Sequence, residues 1–338
     1  MILAEVGVSF VDQLFDNVWV VVILKAILVM GFFLTAPLGV GYAEHKILAH
    51  MQHRLGPMEA GRFHGWAQLI ADGVKFIQKE DVIPRAADRW VFTLAPAVFI
   101  IPVLLTVLVI PLGDTAFAEN LDVGLFFIMA ISAVSVIGVL MAGWASANKF
   151  SLIGALRAAA QLIAYELPLI LAAVAVAMLA GTLSLIGIVE AQRDFVWFAL
   201  LQPFGLLIFI MASLAELVRT PFDMPIADSE IIFGAYTEYT GMKFAFFLLA
   251  EYAGIVVLSA LASVLYLGGY LAPPGLDFLP GPIWMSAKIG GVSFLIIWLR
   301  ATYPRLREDQ LQRFSWIVLI PLALANIMIT AVVKVVVK

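Results

Sequence analysis

Apolar runs of bilayer-crossing length alternate with shorter polar segments along almost the whole chain. A helix rises 1.5 Å per residue, so about 20 apolar residues cross a hydrocarbon core of roughly 30 Å. On that measure the sequence predicts eight spans: Val18–Ala43, Trp90–Leu112, Val123–Trp144, Leu152–Gly181, Val196–Val218, Tyr239–Leu267, Ile283–Ala301 and Phe314–Val333. No soluble domain interrupts them and no fixed-period repeat is visible. The chain therefore reads as a single all-α, polytopic integral membrane domain over residues 1–338.

Two segments depart from a plain crossing. In the long loop 44–89, Trp66, Leu69, Ile70, Val74, Phe76 and Ile77 recur at helical spacing, with Gln68, Asp72, Lys75 and Lys79 on the other faces. That pattern predicts an amphipathic helix at the membrane surface, either lying on lipid or capping the bundle. The 30 residues of Leu152–Gly181 exceed a straight crossing, so this helix must tilt, kink or protrude. Pro168 supplies a kink site, because it lacks an N–H and crowds the carbonyl of Ala164. Glu166 lies beside that distortion.

Composition agrees with the pattern: 63% of residues are hydrophobic and 13% charged, against roughly 45–50% and 25% in soluble domains. Of the 20 Lys and Arg residues, 15 fall in or at the edges of the loops after spans one, three, five and seven. Arg193, Lys288, Lys334 and Lys338 lie on the opposite side, and Lys25 lies within span one. This asymmetry predicts cytoplasmic odd-numbered loops, including the acidic loop 219–238, and both termini outside. The start, with acidic residues and no basic region before its apolar run, predicts a retained first span rather than a cleaved signal. The chain has no cysteine, which excludes disulfides, a thiol nucleophile and a Cys-held iron–sulfur cluster. Any electrons it helps to move arrive at a partner's cofactor. His45, His50, His53 and His64 share one loop but form no H-E-x-x-H pattern, so solvated or phosphate-facing histidines are expected rather than a metal.

Charge inside a bilayer is costly, so ionisable residues there face a polar interior. Lys25, Glu166, Glu216 and Glu251 lie within or at the ends of spans; Glu44, Glu230 and Glu238 lie near the cytoplasmic boundary. Low dielectric disfavours the charged form of a carboxyl, and a group poised between two forms relays protons. Glu238 and Glu251 are placed on one helix, roughly 20 Å apart in rise, so waters or other carboxyls must intervene. Glu166 and Glu216 are candidate intermediates. The segment Glu216–Glu230 packs Arg219, Asp223, Asp228 and Glu230 around Phe222 and Met224, with Pro221 and Pro225 stopping the helix. It reads either as a charged interfacial turn or as one wall of a cavity for an amphipathic ligand such as a quinone head group.

These residues carry a resemblance. EHKILAHMQHRLGP at 44–57 and ADGVKFIQKED at 71–81 resemble the first cytoplasmic loop of the complex I H-subunit family, called subunit 1 in mitochondria. LIGALRAAAQLIAYELP at 152–168, AELVRTPFDMPIADSEI at 215–231, TEYTGMKFAFFLLAEY at 237–252 and RATYPRLREDQL at 300–311 follow in family order. The resemblance implies a membrane subunit of a proton-translocating NADH-quinone oxidoreductase in a bacterial plasma membrane. It implies a quinone chamber bordered by Glu44, Arg54, Asp72, Arg219, Phe222 and Asp223. It further implies an acidic, proton-coupling path through Glu166, Glu216, Asp228, Glu230, Glu238 and Glu251. No cofactor is expected in this chain; NADH, FMN and iron–sulfur clusters belong to partner subunits. The implied partners are a hydrophilic arm, antiporter-like membrane subunits, quinone and lipid, with no nucleic acid. Two departures stand out: His45 lies where the family often has Arg, and Ile226 and Asp228 lie where it often has Glu. Rival expectations are a related subunit serving a hydrogenase or other electron donor, a stand-alone proton or solute transporter, and a structural anchor.

Overall fold

The computed structural model describes residues 18–114, 116–193, 196–273 and 278–336. The expected features of the first 17 residues and of Lys338 lie outside them. The helices are α1 (Val18–Met51), α2 (Gln68–Gln78), α3 (Arg89–Val107), α4 (Gly124–Ser132), α5 (Val134–Ala145), α6 (Lys149–Ala180), α7 (Leu185–Ala191) and α8 (Phe198–Leu201). They continue as α9 (Pro203–Glu216), α10 (Asp228–Ile231), α11 (Gly241–Tyr266), α12 (Gly281–Thr302), α13 (Glu308–Arg313) and α14 (Ile320–Val336). A π-helical stretch, Phe314–Leu319, joins α13 to α14.

Seven helical stretches among the described residues are long and apolar enough to cross a membrane. They correspond to every expected span except the fifth. There Gln202 leaves the helical conformation and Pro203 opens α9, as suits a residue with no N–H to lose at a first helical position. The fifth crossing is therefore α8 followed by the 14-residue α9. The first span is longer than expected: α1 runs on to Met51, taking Glu44 and His45 into the helix. Glu238 corrects a second expectation. It precedes α11, which begins at Gly241, so Glu238 and Glu251 do not share one helix.

Association of helices in lipid rests on close packing rather than on water exclusion, so small residues mark the tightest contacts. A Cβ at Gly138 in α5 would lie 2.7 Å from the Phe99 nitrogen in α3, and one at Gly143 would overlap the Ala155 Cβ in α6. The long α6 is the central post. Asn148 caps its start by accepting from the Phe150 N–H, and Gly181 ends it in the left-handed region at φ 79°. Pro168 leaves the Ala164 carbonyl without its intrahelical donor. The Ser315 hydroxyl, in the π stretch, donates to it at 2.6 Å. Large apolar side chains on the outside of α1, including Trp19, Ile27 and Leu28, are exposed, as in a helix bordering lipid.

The surface helix α2 is amphipathic in two directions. Leu69 packs near Gly41 of α1, and Phe76 meets Phe244 of α11 at 5.8 Å. Trp66, Ile70, Val74 and Ile77 face outward and exposed. The outward stripe is open to contact from outside the subunit.

Candidate functional site

The site begins where α9 ends. Past Glu216 the chain turns back on the bundle: Val218 takes a positive φ of 51°, and the Thr220–Pro221 peptide is cis. Arg219, 4% exposed, lies inside this turn. Its Nη1 donates to Glu44 Oε1 of α1 at 2.9 Å, and its Nη2 lies 2.9 Å from Glu251 Oε1 of α11. The guanidinium also sits 5.1 Å from the centre of the Tyr252 ring. Arg300, at the end of α12, forms a second ion pair with Glu44. Two carboxylates and two guanidiniums thus balance in a buried cluster drawn from four parts of the chain. A buried carboxylate this enclosed is tenable only with such partners.

Glu251 also lines a cavity of about 100 Å³. Glu216 lines it too, with Thr106, Ser132, Ser135 and Tyr236 among apolar neighbours from α3, α4, α6 and α11. Glu216 Oε2 is buried and has no hydrogen-bond partner in the protein. Glu166, on α6 and half-buried, interacts electrostatically with Glu216. Buried Gln161 fixes the geometry from α6: its Nε2 donates to the carbonyls of Ala215 at 2.8 Å and Phe222 at 2.6 Å.

The acidic loop folds over the N-terminal end of α6. A Cβ at Gly154 would lie 2.5 Å from the Gly234 Cα, so two glycines allow the approach. Glu230 is held by Arg157 Nη1 at 2.6 Å and by Arg305 Nη2 at 3.1 Å. The Arg157 hydrogen bond, followed by the nearby Arg305 charge, holds its carboxyl below the usual range against a desolvation that pushes the other way. Asp223 pairs with Arg305 at 3.2 Å, and Glu238 accepts from Asn148 Nδ2 at 2.5 Å. Phe222 is fully buried between the rings of Tyr165 and Phe314, at 5.2 and 6.3 Å. Asp228 opens α10; its side chain lies outside the described residues.

Beside α1, His45, Arg54, Pro57, Gln68 and Asp72 line a second hollow of about 370 Å³. Gln68 donates to Asp72 at 3.3 Å, and His45 Nδ1 is buried without a partner. His45 and Glu44 are consecutive on α1, one lining this hollow and the other in the arginine cluster.

The structure therefore brings Glu44, Arg219 and Glu251 into one cluster, and Glu216 and Glu251 onto one cavity. Arg54 and Asp72 meet at the hollow, while Glu230 and Glu238 remain in the loop above. The sequence reading missed Arg300, Tyr252, Ser132, Ser135 and Gln161. Arg300 closes an apolar helix in a family-like block and so carried a signal; the serines are ordinary span residues and carried none. Among the described residues no group of three or more His, Cys, Asp or Glu side chains could hold a metal ion.

Residues 24–331 match the family model described as NADH dehydrogenase. The chain is 47% identical over 292 residues to the H subunit of NADH-quinone oxidoreductase from Geobacillus kaustophilus, covering 86% of this chain and 87% of that one. It is 47% identical to the protein of the same name from Anoxybacillus flavithermus, and 46% to that of Bacillus thuringiensis, with the same coverage. With this likeness spanning nearly every helix that builds the cluster and the cavity, the chain belongs to the family of NADH-quinone oxidoreductase H subunits.

Proposed function

We propose that the chain is the quinone-side membrane subunit of a complex I-type assembly in a bacterial plasma membrane, coupling quinone reduction to proton movement. One observation carries this reading: Arg219 ties Glu44 to Glu251, and Glu251 shares a cavity with Glu216, so polar groups run in series from α1 into the bundle. Next to Glu44 in sequence, His45 lines a hollow with Gln68 and Asp72 of α2, whose outward apolar stripe is where an isoprenoid molecule would leave lipid.

In this reading NADH, FMN and iron–sulfur clusters reside in a hydrophilic arm, and antiporter-like subunits lie beyond the far end of the series. Quinone takes up two electrons and two protons to become quinol. The transient negative charge at the reduction site alters the balance of the Glu44–Arg219–Glu251–Arg300 cluster. A proton shift between Glu251 and Glu216 answers it, because carboxyls in a dry interior respond strongly to a nearby charge. Glu44, Arg54, Asp72, Arg219, Phe222 and Asp223 build or support the chamber side. Glu166, Glu216, Asp228, Glu230, Glu238 and Glu251 form the coupling side.

The test is Glu216→Gln in the purified assembly. Loss of a positioned proton carrier is expected to cut coupled quinone reduction about tenfold or more, with the subunit still assembled. Wild-type turnover and pumping would overturn the reading.

A further inference from the structure

The third crossing, Gly124–Ala145, is one helical stretch whose winding tightens at Ala133, where Val136 N–H donates to the Ala133 carbonyl while Ala133 keeps helical dihedrals (φ −56°, ψ −29°). Ser132 and Ser135 flank this turn, and both line the cavity that holds Glu216 and Glu251. Their hydrogen atoms are already committed: Ser132 Oγ donates to the Met129 carbonyl at 3.0 Å, and Ser135 Oγ donates to the Ser132 carbonyl at 2.7 Å. Thr106, which lines the cavity from α3, likewise donates to the Val103 carbonyl at 2.7 Å. A hydroxyl whose proton is spent on backbone still carries lone pairs. The cavity therefore presents three hydroxyl acceptors, with Tyr236 and the two carboxyls, in a largely apolar lining.

Glu216 lines the same cavity, and its buried Oε2 has no partner in the protein. A buried carboxyl oxygen left without a partner is costly, and a cavity with several polar groups holds water where a wholly apolar one stays dry. The volume of about 100 Å³ accommodates roughly three waters at liquid density.

We propose that Ser132 and Ser135, with Thr106, position a short water chain that carries a proton between Glu216 and Glu251. The inference rests on the coupling role proposed above and adds positioning residues to it. The hydroxyls accept hydrogen bonds from the waters and so orient them; they neither gain nor lose a proton overall. The carboxyl that gives up a proton becomes charged as the other becomes neutral, so the transfer balances within the cavity. Three positions apart on one crossing, Ser132 and Ser135 share a face and lie about 4.5 Å apart in rise, a spacing that suits successive waters.

The experiment uses the whole assembly in proteoliposomes, with Ser132→Ala/Ser135→Ala combined and, separately, the near-isosteric Thr106→Val. Coupled proton uptake is expected to fall about five- to tenfold in the double variant, with an altered solvent isotope effect. Ser132→Thr/Ser135→Thr, which restores the hydroxyls, is expected to recover most of the rate. Infrared difference spectra should show the Glu216 carboxyl band shifted in the alanine double variant and in Thr106→Val, a signature that a merely structural role would not produce. Wild-type pumping, isotope effect and carboxyl band in both variants would overturn the proposal. If Glu216→Gln abolishes coupling while these variants behave as wild type, the serine assignment alone falls. If Glu216→Gln is also silent, the coupling reading falls with it.

Discussion

Arg219 and Glu44 meet at 2.9 Å, although 175 residues separate them in sequence, and each is almost wholly buried. The pair joins the turn after α9 to the first crossing, and the second Arg219 nitrogen extends it to Glu251. Removing one member of a buried ion pair leaves the other charge stranded. Arg219→Ala is therefore expected to cost about 3–5 kcal/mol, seen as a lower temperature of thermal inactivation in the detergent-purified assembly. Arg219→Lys keeps the charge but offers one nitrogen in place of a fork, and should fall between wild type and the alanine variant.

The bond from Ser315 to the Ala164 carbonyl answers a donor that Pro168 cannot provide. Ser315→Ala leaves a buried carbonyl unpaired, at a cost of about 1–3 kcal/mol. Thermal unfolding followed by circular dichroism checks this. Combining it with Pro168→Ala, which restores the intrahelical donor, should recover most of the loss. Equal destabilisation by the double variant would show that the hydroxyl is not acting on that carbonyl.

Gly154 and Gly31 make a matched pair. A methyl group at Gly154 would collide with the backbone of Gly234, whereas nothing lies within 4 Å of one at Gly31. Gly154→Ala is expected to lose at least about 1–3 kcal/mol and to loosen the acidic loop. Gly31→Ala should be neutral or stabilise by up to about 1 kcal/mol. Protease sensitivity of the 221–240 segment distinguishes the two.

Glu230 gives the loop a defined pH response. Its folded-state carboxyl titrates below its ordinary value of 4.5, first through the Arg157 hydrogen bond. The stabilisation is therefore complete above about pH 4.5 and drains away as pH falls through the lowered folded value. Hydrogen-exchange protection factors of residues 228–240, corrected for the intrinsic pH dependence of amide exchange, should fall on acidification in the wild type. Glu230→Gln should flatten that dependence and exchange faster already at neutral pH.

The crossings were legible because each needs a long apolar run, and that demand is written residue by residue. The surface helix was legible for the same reason, through the spacing of Leu69, Val74 and Phe76. The break at Gln202 was marked by Pro203 but masked by the apolar residues on either side. The end of α1 was misplaced because Glu44 reads as the start of a loop; pairing with Arg219 and Arg300 lets it stay in a helix. Glu238 was assigned to a helix that starts only at Gly241. The acids themselves stood out by type, but their partners did not. Whether Glu251 meets Arg219 or water depends on contacts among four crossings, which no local pattern encodes. The serine pair at Ala133 was invisible for the same reason.

The π stretch at Phe314–Leu319 has one further consequence. It absorbs a surplus residue within the last crossing, so backbone length and side-chain direction are uncoupled there. Excising outward-facing Ile317 would let this turn relax to ordinary winding, with Asn326 and Thr330 still directed inward and Thr330 still within reach of Gln202. Excising Leu324, beyond the stretch, would instead swing Thr330 around by about 100°, delivering a hydroxyl to the acyl chains. The C-terminal crossing thus has a place where evolution can shorten it without turning it.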